Sequence, residues 1–299
     1  MSSTRATGIA LAFVTALISG VAIFVNGHAV RHFGDATVYT TAKNAVAGVL
    51  LLALAAPLLG GPRSEVPTIR KHRLGLAAIA VIGGSVPFVL FFEGLARAEA
   101  TQAAFIQKTL IVWVALLAVP LLHERLGWPH LAAIALLVAG QAWLVGDAGT
   151  LAFGSGEALI IAATLLWAVE VVVAKKLLAD LDSRLLGAAR MALGTVVLLG
   201  WVLISGRADE LFSLSSDQWS WALLTGLILA GYVATWFAAL ARAQAVDVTA
   251  VLVFGAVVTA VLSRAADGVA FDLGGVILIT AGALIVALVG VRKREPAPA

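Results

Sequence analysis

Five ionisable side chains sit inside apolar runs of this chain: Lys43, Glu93, Lys108, Glu170 and Arg190. A charge in lipid costs roughly 2.5–3.5 kcal/mol on insertion scales, so each of these needs a partner or a wet cavity. Three cations against two anions leave one positive charge over. A substrate carboxylate or another anionic group would neutralise it, and so would water or a backbone acceptor. Lys108, with Gln107 beside it and Phe105 three positions earlier, reads as an anion anchor. Its structural alternative is a pair with Glu93 across the short turn between their spans. Lys43 follows Tyr39 by one helical turn, and its long stem could instead snorkel to the outer surface. Glu93 lies on one face with Val89 and Ser85. A carboxylate whose lysine partner comes and goes can exchange protons, which makes protons the candidate coupling ion.

Glu170 shares a helical face with Ala163, Trp167 and Ala174, a mixture of small residues, an aromatic and an acid that suits a cavity wall. The plainer alternative is a pair with Arg190, which stands about one and a half turns from the inner end of its span. Tyr232 and Trp236, four apart, are the best aromatic pair for walling a pocket, although helix packing gives the same spacing. Thr15, Ser19, Ala22 and Asn26 form a small and polar stripe, either a tight helix contact or a second wall. The cluster His123-Glu124-Arg125 sits in a turn and reads as a cap and salt bridge rather than a catalytic set. The five histidines form no ligand spacing, the chain has no cysteine, and no phosphate-cradling glycine loop with its lysine is present. No catalytic residue, metal or cofactor is expected, and the chain is not read as an enzyme.

The elements that must hold these residues are membrane helices. The chain is 61% hydrophobic and 12% charged, with a mean hydropathy of +1.02. That is too apolar for an ordinary soluble protein. A span takes roughly 20 apolar residues, and ten are predicted, at 7–30, 37–59, 74–96, 101–122, 128–146, 157–178, 184–205, 218–240, 247–264 and 273–291. The first is read as a retained helix and not a cleaved leader. The runs are continuous rather than alternating, which excludes a barrel. Turn signals at Gly60-Gly61-Pro62, Gly127-Trp128-Pro129, Gly146 to Gly156 and Gly206 separate them.

With the N-terminus inside, the inner side receives Arg5, Arg63, Arg70, Lys71, Arg73, Arg125, Lys175, Lys176, Arg184, Arg242, Arg292, Lys293 and Arg294. The outer side receives Arg31, Arg97, Arg207 and Arg264. This bias puts both termini in the cytoplasm of an inner or plasma membrane. Nothing in the charge pattern suggests a nucleic-acid partner.

The segment Leu95-Ala96-Arg97-Ala98-Glu99-Ala100 returns 145 residues later as Leu240-Ala241-Arg242-Ala243-Gln244-Ala245. Two blocks follow, 1–147 and 155–299, each crossing the membrane an odd number of times and so facing opposite ways. The expected fold class is an all-α integral membrane protein of ten transmembrane helices built as two inverted five-helix repeats. Opposed halves around a central site are the construction of many secondary transporters.

On this layout the chain resembles the drug/metabolite transporter superfamily, and within it the EamA-like family. The resemblance rests on Gly94 to Ala100, on Leu122-His123-Glu124-Arg125-Leu126 at the inner end of the fourth span, and on Leu166-Trp167-Ala168 in the sixth. It rests also on Ala189-Arg190-Met191-Ala192-Leu193, which echoes Ala42-Lys43-Asn44-Ala45-Val46. It implies two inverted repeats around a central cavity and movement of small organic molecules, often outward. Three departures stand out. The Glu-Arg signature falls on Gly268-Val269-Ala270 in the second half, the first span has Ser19-Gly20-Val21 where Trp-Gly is frequent, and the fourth carries Lys108 with no mid-membrane proline.

The expected function is a secondary transporter exporting a small polar or amphipathic metabolite, an amino-acid-like molecule or another organic anion or zwitterion, by alternating access. The substrate-binding candidates are Asn26, Tyr39, Lys43, Glu93, Lys108, Trp167, Glu170, Arg190, Tyr232 and Trp236. The alternatives are efflux of hydrophobic cations, which calls for acids to dominate the cavity, and a non-transporting membrane enzyme or sensor.

Overall fold

The computed structural model describes residues 2–60, 65–98, 100–145, 153–268 and 272–292. Arg63, Glu99, Lys293 and Arg294, the Gly61-Pro62 turn, most of the Gly146 to Gly156 connection and the Val269-Ala270 end of the lost signature lie outside them. Among the described residues the regular structure is helical throughout. In chain order the helices are α1 (Ser2–Ala29), α2 (Ala36–Ala55), α3 (Val66–Lys71), α4 (Arg73–Ile82), α5 (Val86–Leu95), α6 (Ala100–Lys108), α7 (Leu110–Leu122) and α8 (Trp128–Val145). The second half supplies α9 (Ser155–Leu177), α10 (Ser183–Ile204), α11 (Ala208–Phe212), α12 (Ser216–Arg242), α13 (Ala245–Leu252), α14 (Gly255–Asp267) and α15 (Leu273–Arg292).

Among the described residues, nine helical segments are long and apolar enough to cross a membrane. The span expected at 128–146 is the shorter apolar helix Trp128–Leu144. Several helices start where a side chain satisfies the free amides of the first turn. Asp35 accepts from the Thr37 and Val38 amides at 2.8 and 2.9 Å, and Asp182 accepts from the Arg184 amide at 2.8 Å. Ser215 and Gln218 cap each other's amides at the head of α12.

Helices break at positions that share the 145-residue offset of the repeated hexapeptide. α6 gives way to α7 at Thr109, and α13 to α14 at Val253 and Phe254, 145 residues on. α7 ends on His123 at φ 54° and α14 on Gly268 at φ 70°, two left-handed caps at that same offset. The third span breaks where its counterpart does not: α4 stops at Ile82 and α5 resumes at Val86, whereas α12 runs unbroken.

Gly83, Gly84 and Pro87 cause that break, because a proline cannot donate to the preceding turn. The carbonyls released there have side-chain donors. Ser85 Oγ donates to Ala80 O at 2.9 Å, Trp167 Nε1 to Gly83 O at 3.3 Å, and Asn44 Nδ2 to Gly84 O at 3.3 Å. In hydrocarbon an unsatisfied carbonyl costs several kcal/mol, so irregular backbone at this depth persists only with such partners. Gly84 also lets α10 come close: a Cβ there would lie 2.0 Å from the Arg190 carbonyl.

The most extensive helix pairings, α8 with α15, α2 with α10, α1 with α12 and α5 with α9, all cross between the halves. Exchanging the halves turns α1·α12 into α9·α5 and leaves the other two pairings as they are. The turns gather into two polar ends. At one end Arg5 meets Asp247, and Lys71 and His72 meet Asp180. At the other, His32 meets Asp217, His28 meets Asp267, and Arg207 meets Asp35. Each contact joins turns that the charge bias assigns to the same side.

Candidate functional site

A cavity of about 160 Å³ occupies the middle of the bundle, with walls from both halves. Ser19, Ala22 and Asn26 on α1 face it, as do Lys43 on α2, Phe88, Phe91 and Phe92 on α5, and Gln107 and Lys108 on α6. The second half contributes Trp167 and Glu170 from α9, Arg190 from α10, Tyr232 and Trp236 from α12, and Thr249 from α13. Eight of the ten expected site residues therefore share one chamber: Asn26, Lys43, Lys108, Trp167, Glu170, Arg190, Tyr232 and Trp236.

Tyr39 and Glu93 do not line it. Tyr39 is fully buried behind Asn26, to which its hydroxyl donates, and its ring packs edge-on to Phe92. Glu93 sits in the last turn of α5, where it accepts from Arg97 Nη2 at 2.9 Å and from Thr37 Oγ1 at 3.3 Å, with Arg207 Nη1 4.0 Å away. The alternative pairing of Glu93 with Lys108 is not formed. Their depths differ: Glu93 is two residues from the end of α5, while Lys108 closes α6, eight residues below that helix's start.

The charges of the chamber fall into two groups. Arg190 holds Glu170 in a two-pronged contact, Nε donating to Oε1 and Nη2 to Oε2 at 3.0 Å, with both side chains buried. This is the pair offered from the sequence as the plainer alternative for Glu170, and it is neutral as a unit. The lysines are different. Lys43 is 2% exposed and does not snorkel. Its ammonium donates to Asn26 Oδ1 at 3.1 Å and lies over the Phe92 ring at 4.1 Å and the Tyr39 ring at 4.8 Å. Lys108 is 6% exposed and donates to Ser19 Oγ at 3.4 Å. Among the described residues, no carboxylate pairs within 4.0 Å of either ammonium. Aromatic faces and neutral oxygens hold these cations in place of an acid.

Aromatic rings form much of the remaining wall. Tyr232 and Trp236 stack with centroids 6.1 Å apart and planes 9° from parallel. Trp167 stands at 5.6 Å from both Phe88 and Phe91. The phenylalanines were not singled out in the sequence, because in an apolar span a phenylalanine facing a cavity is spelled like one facing lipid. Ser19 and Gln107 were each visible beside a candidate residue, whereas Thr249 carried no such signal.

Below the chamber, at the end where α1 begins, a second polar cluster ties the halves together. Arg5 donates to Asp247 Oδ2 at 2.6 Å and to Gln244 Oε1 at 3.3 Å. His130 Nε2 lies 3.2 Å from Asp247 Oδ1. Lys175 donates to the Leu240 and Ala243 carbonyls at 2.5 and 2.7 Å, capping the C-terminus of α12. Glu124, expected to shape its own turn, instead accepts from the Ala245 and Val246 amides at 2.6 and 3.1 Å and so caps α13 of the other half. Burial pushes its carboxyl above the usual carboxylate range, and those two amides pull it back.

A multi-pass helical bundle with a charged, aromatic-lined chamber at its centre is the architecture of a membrane-transport protein. The chain belongs to the EamA-like transporter family, which it matches over residues 6–146 and 154–291. It is 34% identical over 141 residues to an uncharacterized transporter of Archaeoglobus fulgidus, covering 46% of this chain and 48% of that one. It is 25% identical over 190 residues to an uncharacterized transporter of Synechocystis, covering 60% and 54%. The chain thus spans about half the length of the curated relatives it matches. A solved crystal structure superposes with a TM-score of 0.76 at 18% identity, covering 95% of this chain and 99% of that one, which is a likeness of fold.

Proposed function

We propose that the protein is a secondary active transporter of a small organic anion or zwitterion, exporting it by alternating access between two inverted five-helix repeats. The observation that carries this is the pair of lysines facing the central chamber without a carboxylate. A buried cation without a counter-ion is costly, and a mobile anionic substrate supplies one at the point where both halves meet. Cavity acids suited to a hydrophobic cation are not what the chamber offers, since its single described carboxylate is already held by Arg190.

Pairings that cross between the halves support rocking of one half against the other. The cluster of Arg5, Asp247, His130, Glu124 and Lys175 closes the end near the first residues of α1, while Asn26, Gly27 and Leu95 extend the cavity towards the opposite end. This arrangement reads as a state closed on the cytoplasmic side, with both termini there, in the inner or plasma membrane. Protons are the proposed coupling ion. Glu93, away from the chamber, is a rim residue in this reading, and Tyr39 acts by orienting Asn26.

The test is exchange in sealed vesicles holding the purified protein and loaded with labelled amino acids and carboxylates. Movement of organic anions above that in empty vesicles is expected, with about tenfold less in Lys108→Gln through loss of a charge-assisted contact. A panel in which nothing exchanges overturns the reading.

A further inference from the structure

We infer that the chamber recognises a dianion, one acidic group held by Lys43 and the other by Lys108. This rests on the carrier reading above and narrows its substrate class.

Lys43 donates to Asn26 and Lys108 to Ser19, both on α1 and both facing the cavity. These two anchors are seven residues apart, two helical turns on one face, or about 10 Å of rise. The two positive centres are therefore anchored at separate levels of the chamber wall. One acidic group neutralises one of them, and a second is needed for the other.

The remaining charges do not alter the count, because Glu170 and Arg190 satisfy each other. Much of the remaining wall is aromatic, with Phe88, Phe92 and Trp236 among the lining residues. Such rings receive a methylene chain. The ring faces of Phe92 and Tyr39 lie against the Lys43 ammonium and hold it in place.

The experiment measures binding to the purified full-length protein by calorimetry. The probes are malonate, glutarate, adipate and suberate, with pentanoate as the matched monoacid and norvaline as the matched zwitterion. The best-bound of these diacids is expected to bind at least about tenfold more tightly than pentanoate, the gain of one charge-assisted contact. In Lys43→Gln and in Lys108→Gln, each checked for an unchanged elution profile, that preference should fall to about twofold or less while pentanoate binding persists. The inference is overturned if pentanoate or norvaline binds as well as the best-bound diacid, or if the preference survives either substitution. Vesicle exchange separates it from the carrier reading. Diacids that bind but never exchange refute the carrier and leave the recognition standing. Exchange of pentanoate or norvaline without diacid binding refutes the recognition and leaves the carrier standing.

Discussion

Glu170 and Arg190 are both buried and answer each other, so removing one strands the other in a low dielectric. Arg190→Ala is expected to cost about 3–5 kcal/mol, read from unfolding of the detergent-solubilised protein. Replacing both residues together with methionine should recover most of that loss, since a buried pair and a well-packed apolar pair differ little. Persistence of the full loss in the double variant would mean that the pair does more than neutralise itself. At the surface, Asp180 shows the opposite balance. The hydrogen bond from Lys71 comes first, that from His72 second, and together they hold its carboxyl below the usual carboxylate range. Its folded pKa is depressed, so the stabilisation of the turn after α9 is present above about pH 4 and is lost as pH falls through the lower folded value. Protection factors for the amides of 178–182 should stay level from neutral pH down to about pH 5 and drop below about pH 4. Asp180→Asn should remove that step.

The elements are defined as much by their interruptions as by their lengths. The break between α4 and α5 admits the carbonyl of Arg190, and Gly194 returns the contact, because a Cβ on it would meet the Gly84 carbonyl at 2.6 Å. Gly84→Ala should therefore displace α10 and destabilise the protein by about 1–3 kcal/mol, the usual cost of overpacking. Gly231 is the control. It lies in α12 at the position matching the α5 segment, and the nearest atom to its added Cβ is 3.8 Å away. Gly231→Ala should be neutral or stabilising by up to about 1 kcal/mol through helix propensity. Thermal unfolding of the two variants side by side checks the contrast, and equal losses would deny the close approach at Gly84. The expected helix positions agree with the observed ones to within a few residues for most spans. These interruptions did not emerge from hydropathy, because three polar or small residues hardly lower the mean of a long apolar run.

For the whole molecule, the polar ends make a testable map. The chain has no cysteine, so a single introduced thiol reports alone. A membrane-impermeant maleimide added to intact cells should label Ser213→Cys, at the end where His32 meets Asp217, and should spare Ala179→Cys, beside Asp180, until the cells are opened. The reverse pattern would invert the proposed orientation and place the Arg5–Asp247 cluster outside. At this scale one repeated hexapeptide pointed to a duplication, and the left-handed caps at His123 and Gly268 stand at the same 145-residue offset.

Composition and run length alone determined that lipid is the solvent and that the backbone must close its hydrogen bonds within helices. The 145-residue offset pointed to two related halves. Which polar side chains meet was decided only by packing. In a soluble helix the polar face declares itself against an apolar one, but here the face towards lipid and the face towards a neighbour are both apolar, so periodicity does not say where Lys43 or Glu93 looks. Depth is hidden for the same reason. Lys108 and Glu93 flank one turn in the sequence, and only the opposite ends of α5 and α6 separate them, sending one to the chamber and the other to the rim.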